Sequence, residues 1–187
     1  EKNKNTFAAK VFKASPDPEI PEDLEIPEGE TADRVKFKYF RDHYLDNIDF
    51  SDERYVRTPI YHNKLEYYIT KLTPQIPDSI NKAADLIVNK AKASDELLKY
   101  TVHYITNQYE KSKIMGMDAV FVHMAENYYM NGDAFWVDSN NLAKITERAM
   151  TLKPLLLNKV TPNIILPDAS GKWHNLHEID ANYTILY

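Results

Sequence analysis

The sequence predicts a mainly α fold: a bundle of about six helices with a Pro-rich N-terminal leader and a short C-terminal β-hairpin or strand tail. Three observations carry that expectation. Apolar residues recur at steps of three and four between residues 31 and 157. Prolines and capping residues stand where those periodic stretches begin and end. The pattern also changes on both sides of them, to an acidic proline-rich run before and to short apolar runs after. Three segments follow: an extended leader over 1–30, a helical domain over 31–157 and a β segment over 158–187.

Residues 1–13 mix Lys and Asn with a small apolar patch of Phe7, Val11 and Phe12. Between residues 15 and 30, Pro16, Pro18, Pro21 and Pro27 stand among seven carboxylates, with no Lys or Arg. Proline at that density disfavours helix and central strand, and like charges repel. The leader therefore reads as extended, lying on the domain or free of it.

From Thr31, the residues Phe37, Phe40, Tyr44 and Leu45 fall at helical spacing, although Val35 to Tyr39 alternates like a strand. Residues 46–57 are polar and turn-like. Thr58 offers an N-cap with Pro59 behind it, and Tyr61, Leu65, Tyr68 and Leu72 form the next apolar face. Pro74 ends that helix and Pro77 opens another, with Ile80, Ala83, Ala84, Ile87 and Ala91 inward. Ser94 caps a longer helix, with Asp95 and Glu96 favourable in its first turn and Leu98, Val102, Ile105 and Tyr109 on its face. After Gly116 comes a wide stripe of Met117, Val120, Phe121, Met124, Ala125 and Tyr128, stopped at Asn131-Gly132. Asp138 or Ser139 caps a last helix carrying Leu142, Ile145, Ala149 and Leu152, closed by Pro154. Residues 163–166 and 173–179 flank a turn at Asp168 to Gly171, which reads as a hairpin. Residues 183–187 read as the first strand of a further, truncated domain.

Composition narrows the function. The net charge is -5, concentrated in the leader, and the rest is close to neutral, which argues against nucleic-acid binding. No apolar run approaches the ~18 residues of a membrane span. The chain has no Cys, which excludes disulfides, thiolate metal sites and thiol chemistry within these residues. Four scattered glycines make no phosphate-cradling loop, and no G-x-S-x-G elbow occurs.

Several motifs bear a family resemblance. The segment from His43 to Asp52 (HYLDNIDFSD), Arg57-Thr-Pro59, His62 to Leu65 and Met115 to His123 (MGMDAVFVH) resemble a helical domain of unknown function. That domain lies N-terminal to a thioredoxin-like domain in bacterial envelope thiol-disulfide oxidoreductases. Residues 162–173 (PNIILPDASGKW) resemble the entry hairpin of such thioredoxin-like domains, and 183–187 the strand that leads to their Cys-x-x-Cys helix. The resemblance implies an oxidoreductase parent in the periplasm or cell envelope, its signal peptide removed. It implies for this region a non-catalytic role in substrate or partner binding, spacing or dimerisation. The implied partners are the downstream thioredoxin-like domain, protein substrates and a second copy in a homodimer. No catalytic residue carries over, because the Cys-x-x-Cys would follow Tyr187.

The candidate chemistry is weighed beside plainer structural roles. His43 with Asp42, Asp46, Asp49 and Asp52 resembles a cation or acid-base cluster, but lacks the ordered spacing of a calcium loop. His123, with Glu126 and Asp118 on one helix face, suits zinc but lacks further ligands nearby; a histidine hydrogen-bonded within the bundle is the favoured reading. A metal-dependent enzyme built on His43 and His123 is the alternative function, and a general helical scaffold another. His174 and His177 are read as surface residues on opposite faces of a strand. Thirteen tyrosines suit a core with polar ties. Each of the pairs Tyr67-Tyr68 and Tyr128-Tyr129 is expected to place one ring inward and one outward. A partner-binding groove is expected where Tyr128, Tyr129, Phe135 and Trp136 meet the preceding helix. No cofactor or resident metal is expected.

Overall fold

Among the described residues, 6–185 of the computed structural model, seven α-helices form. They are α1 (Phe7–Ala14), α2 (Ala32–His43), α3 (Pro59–Tyr67), α4 (Pro77–Ala91), α5 (Asp95–Glu110), α6 (Asp118–Met124) and α7 (Ser139–Leu152). The start signals act chemically. Thr31 accepts from the Arg34 N–H, Ser94 from Leu97, and Asp138 from Asn140 and Asn141. Pro59 and Pro77 sit in first turns, where a missing N–H costs no hydrogen bond. Thr58 departs from its expected part: its hydroxyl donates to Tyr55 O at 2.8 Å and does not cap α3.

Two helices continue as π-turns, α3 through Tyr68–Leu72 and α6 through Ala125–Tyr129. The i→i+5 bonding widens the turn, so neighbouring side chains diverge less. Tyr128 and Tyr129 are consequently both buried, which corrects the expectation that one faces outward. Tyr67 is exposed and Tyr68 buried, as helical spacing suggests.

The main core lies among α3, α4, α5 and α6, where Leu65, Ile80, Ile87, Leu97, Val102, Ile105, Val120 and Met124 are buried. α5 packs on both α4 and α6. On α7, Ala149 meets Phe121, Val122 and Ala125 in a smaller cluster. α2 is peripheral. Phe37, expected inward, is exposed, and the buried members of that stretch are Tyr44 and Leu45, beyond the helix end.

The leader is not extended throughout, because it contains α1. Eight residues rarely hold a helix alone, and tertiary contacts hold this one. Phe7 and Val11 pack on the core, Ala14 is fully buried, and the Tyr55 hydroxyl donates to Lys10 O at 2.9 Å. Lys10 Nζ donates to Asp49 at 2.7 Å and to Asp52 at 2.8 Å. Arg54 grips Asp52 with two bonds of 2.7 and 2.6 Å. The Arg54 hydrogen bonds, with Lys10 behind them, hold the Asp52 carboxyl well below the usual carboxylate range. From Ser15 to Glu30 the chain has neither helix nor strand. It is pinned at Lys64, which is 4% exposed. The Lys64 ammonium donates to Pro16 O at 3.2 Å, lies 3.6 Å from Asp17 and sits 4.2 Å over the Tyr44 ring. Burial lowers its pKa, against the pull of Asp17.

The tail forms the expected hairpin from β1 (Ile165–Pro167) and β2 (Trp173–Asn175), antiparallel, with Ile165 opposite Asn175. The Asp168 carboxylate organises the turn, accepting from the Ser170 and Lys172 amides, with His174 Nε2 at 2.8 Å. His174 and His177 are both exposed, but not on one strand: β2 ends at Asn175, and His177 lies in a 3₁₀ turn with Nε2 2.8 Å from Thr161 O. Residues 183–185 form no strand, and Leu186 and Tyr187 of the expected final strand lie outside the described residues.

Asp52→Ala is expected to cost about 1–2 kcal/mol in urea unfolding, since it leaves Lys10 and Arg54 without their shared partner. It should also speed tryptic cleavage within α1. A second expectation concerns alkali. Burial pushes the Tyr44, Tyr104 and Tyr109 hydroxyls up to about 12, whereas an unfolded chain ionises near pH 10. Above that pH the folded state holds more protons than the unfolded one. The stability these groups lend is therefore complete below about pH 10 and is lost as pH rises through 12. Circular dichroism across pH 9–12 measures it.

Candidate functional site

One face of α5 carries Glu96, Lys99, Tyr100 and His103, at i, i+3, i+4 and i+7. α7 contributes its N-cap Asp138 with Asn141, Lys144 and Ile145. Tyr129 from the second π-turn, Trp136 and Val137 from the loop before α7, and Val56 complete the lining of a cleft of about 470 Å³. That volume lies in the range of ligand sites.

Its aromatic wall is held in place before any ligand arrives. The Tyr100 hydroxyl and His62 Nδ1 lie 2.8 Å apart. The Tyr100 ring lies parallel to Tyr104 at 6.5 Å between centroids, and His62 stands edge-on to Tyr104 at 5.3 Å. Trp136 packs edge-to-face on Phe135 at 5.1 Å. The polar groups divide into engaged and free. Asp138 accepts from the Asn140 and Asn141 amides and the Asn141 side chain; those bonds, led by Asn141, hold its carboxyl below the usual range. His103 Nε2 meets Asn107 Nδ2 at 2.8 Å. Among the described residues, Lys99 and Lys144 have no carboxylate partner and the Trp136 indole N–H has no acceptor.

Of the four side chains expected to form a partner surface, Tyr129 and Trp136 line this cleft. Phe135 is exposed beside Trp136. Tyr128 reaches α4, where its hydroxyl donates to Asp85 at 2.6 Å. Sequence reasoning did not single out Lys99 or Lys144. The polar and aromatic stripe of α5, beside its apolar face, was the available signal.

The two histidines considered for metal binding are engaged elsewhere. His123 Nε2 meets the same Asp85 oxygen at 2.7 Å, rather than Asp118 or Glu126. Asn127 Nδ2 donates to His123 O and lies 3.2 Å from His123 Nδ1. These partners assign the ring proton to Nε2. Glu126 pairs with Lys153. His43 Nδ1 lies 2.7 Å from Asp46, while Asp49 and Asp52 serve Lys10. Among the described residues, no group of three or more His, Asp and Glu side chains is placed to hold a metal ion.

A family model for a domain of unknown function, DUF5106, matches residues 1–153, and the chain belongs to that family. No curated protein matches it. Among solved structures, it is similar to a thioredoxin-like protein from Bacteroides caccae, with 15% identity and a TM-score of 0.57. The likeness covers 89% of this chain and 58% of that protein, and at this identity it shows a shared fold.

Asp85→Ala should orphan both the Tyr128 hydroxyl and His123 Nε2. The expected loss is about 1–3 kcal/mol of stability, read as a lower urea midpoint at unchanged slope.

Proposed function

We propose that this DUF5106 domain is the non-catalytic helical module of a thiol-disulfide oxidoreductase, placed before a thioredoxin-like domain of the same protein. The tail carries the reading. Ile165, Leu166 and Trp173 are all more than half exposed on a two-stranded hairpin. Such a hairpin is marginal in water by itself, and its open edges invite pairing. A larger sheet that starts with this hairpin would cover those side chains. The thioredoxin-like neighbour is longer than the part this chain matches, which agrees with that arrangement.

The chain has no cysteine, so any thiol exchange belongs to residues outside these 187. Partner binding is the role we infer for the helical part, ahead of spacing or dimerisation, because the α5–α7 cleft presents free donors and fixed aromatic rings. The setting we infer is a bacterial periplasm or cell envelope, where disulfide chemistry operates. No helix among the described residues is long and apolar enough to cross a membrane.

Insulin reduction in the presence of dithiothreitol tests the assignment. The 187-residue chain is expected to give no acceleration. The longer protein from the same gene is expected to accelerate the reaction and to lose that activity on alkylation with iodoacetamide. A longer protein without cysteine, or one inactive towards insulin and other disulfides, overturns the reading.

A further inference from the structure

We infer that the apolar face formed by Ile114, Met115, Leu155 and Leu157 is the seat of the thioredoxin-like domain that follows this module in the same protein. The inference rests on the module reading proposed above and specifies where the two domains meet.

All four side chains are more than half exposed, and Met115 is 83% exposed. They come from two segments distant in sequence. Ile114 and Met115 belong to the connection between α5 and α6, and Leu155 and Leu157 to the stretch after α7. Those segments meet at Gly116. A Cβ placed there would stand 2.8 Å from Leu157 Cδ1, so the glycine backbone lies against the leucine. Each of the four residues is therefore within two positions of one contact, and together they form one patch. Both segments are fixed. The Met117 amide donates to Ile114 O at 3.2 Å, and Gly116 takes φ +85°, where glycine is favoured. Leu156 packs on the cluster of Phe121, Val122, Ala125 and Ala149, while its neighbours Leu155 and Leu157 face outward. Apolar side chains grouped in this way, unlike single ones, mark an interaction site.

The covalent path selects the occupant. Asn158, at φ 63°, turns the chain directly after Leu157, and the Lys159 amide donates to Leu156 O at 3.1 Å. β1 begins at Ile165, eight residues past Leu157, a reach of at most about 28 Å when fully extended. A sheet that grows from this hairpin is therefore held beside the patch. So short a tether gives an effective concentration on the order of millimolar, and a contact too small for separate proteins then suffices. Four side chains are few beside the roughly 20–30 residues a side of a free-standing complex. That disfavours a second copy or an unrelated protein as the occupant. The hairpin alone does not fill the role, since every residue from Leu157 to His174 is exposed.

Peroxide oxidation of methionine, with mass spectrometry locating each sulfoxide, tests the inference. The 187-residue chain is compared with the longer protein from the same gene, taken in its oxidised form. Met115 is expected to oxidise at least about fivefold more slowly in the longer protein, as a face covered about four-fifths of the time requires. Met130, 37% exposed and about 18 Å away along α6 and its π-turn, is expected to react equally in both. Ile114→Glu and Leu155→Glu in the longer protein are each expected to return Met115 to its rate in the 187-residue chain. Neither substitution is expected to shift the thermal melt of that shorter chain. Equal Met115 rates in the two proteins overturn the docking. Protection that neither glutamate variant relieves overturns its assignment to this face. Protection that fades on about hundredfold dilution gives the face to a second copy and overturns the inference as well. The module reading stands apart: a longer protein that reduces insulin but leaves Met115 reactive keeps that reading and overturns this one.

Discussion

The hydrogen-bonded clamp between α3 and α5 sets the geometry on which the rest depends. Tyr61 and Thr101 are essentially inaccessible, and their hydroxyl oxygens lie 2.5 Å apart. Thr101 donates to Leu97 O at 2.6 Å, so the Tyr61 hydroxyl is the donor to Thr101. One residue after Tyr61 on α3 and one before Thr101 on α5, His62 meets Tyr100. A buried hydroxyl left unpaired costs about 1–3 kcal/mol, so the two helices are held to one register. That register turns Glu96, Lys99, Tyr100 and His103 toward the cleft while Leu97, Val102 and Ile105 stay in the core.

The clamp is one instance of a wider pattern. Tyrosine rings supply much of the buried area, and their hydroxyls tie distant segments together. Tyr55 reaches Lys10 O on α1, and Tyr128 reaches Asp85 on α4. The Tyr104 and Tyr109 hydroxyls are buried with no partner among the described residues, and desolvation leads the rise in their pKa. The periphery is held differently. α1 and the leader are fixed by cations, Lys10 between two aspartates and Lys64 beneath Pro16 and Asp17. Charged hydrogen bonds there add to the apolar contacts of Phe7, Val11 and Ala14.

Structure and chemistry separate in this chain. The histidines with carboxylate neighbours act as ties: His123 joins α6 to α4, and His43 closes the end of α2. Lys99 and Lys144, which make no tie of their own, line the cleft. The cleft thus sets two solvent-exposed cations beside an aromatic wall fixed by its own hydrogen bond and ring contacts.

The sequence alone determined α2 to α7, because caps, prolines and helical periodicity are local signals that act within a few residues. It also determined the hairpin, through the turn at Asp168 to Gly171. It disclosed two cleft residues, Tyr129 and Trp136, as aromatic outliers near a helix end. It did not disclose α1, whose eight residues are helical because Tyr55, Asp49 and Asp52 hold them. Nor did it disclose the π-turn that buries both Tyr128 and Tyr129, since one inserted turn rotates a face without changing the residue pattern. Phe37 shows the converse, an apolar residue at the right spacing with no neighbour to bury it. Lys99 and Lys144 lie 45 positions apart on separate helices. Only packing brings them to one cleft, because long-range juxtaposition depends on how helices dock and not on the order of residues within them.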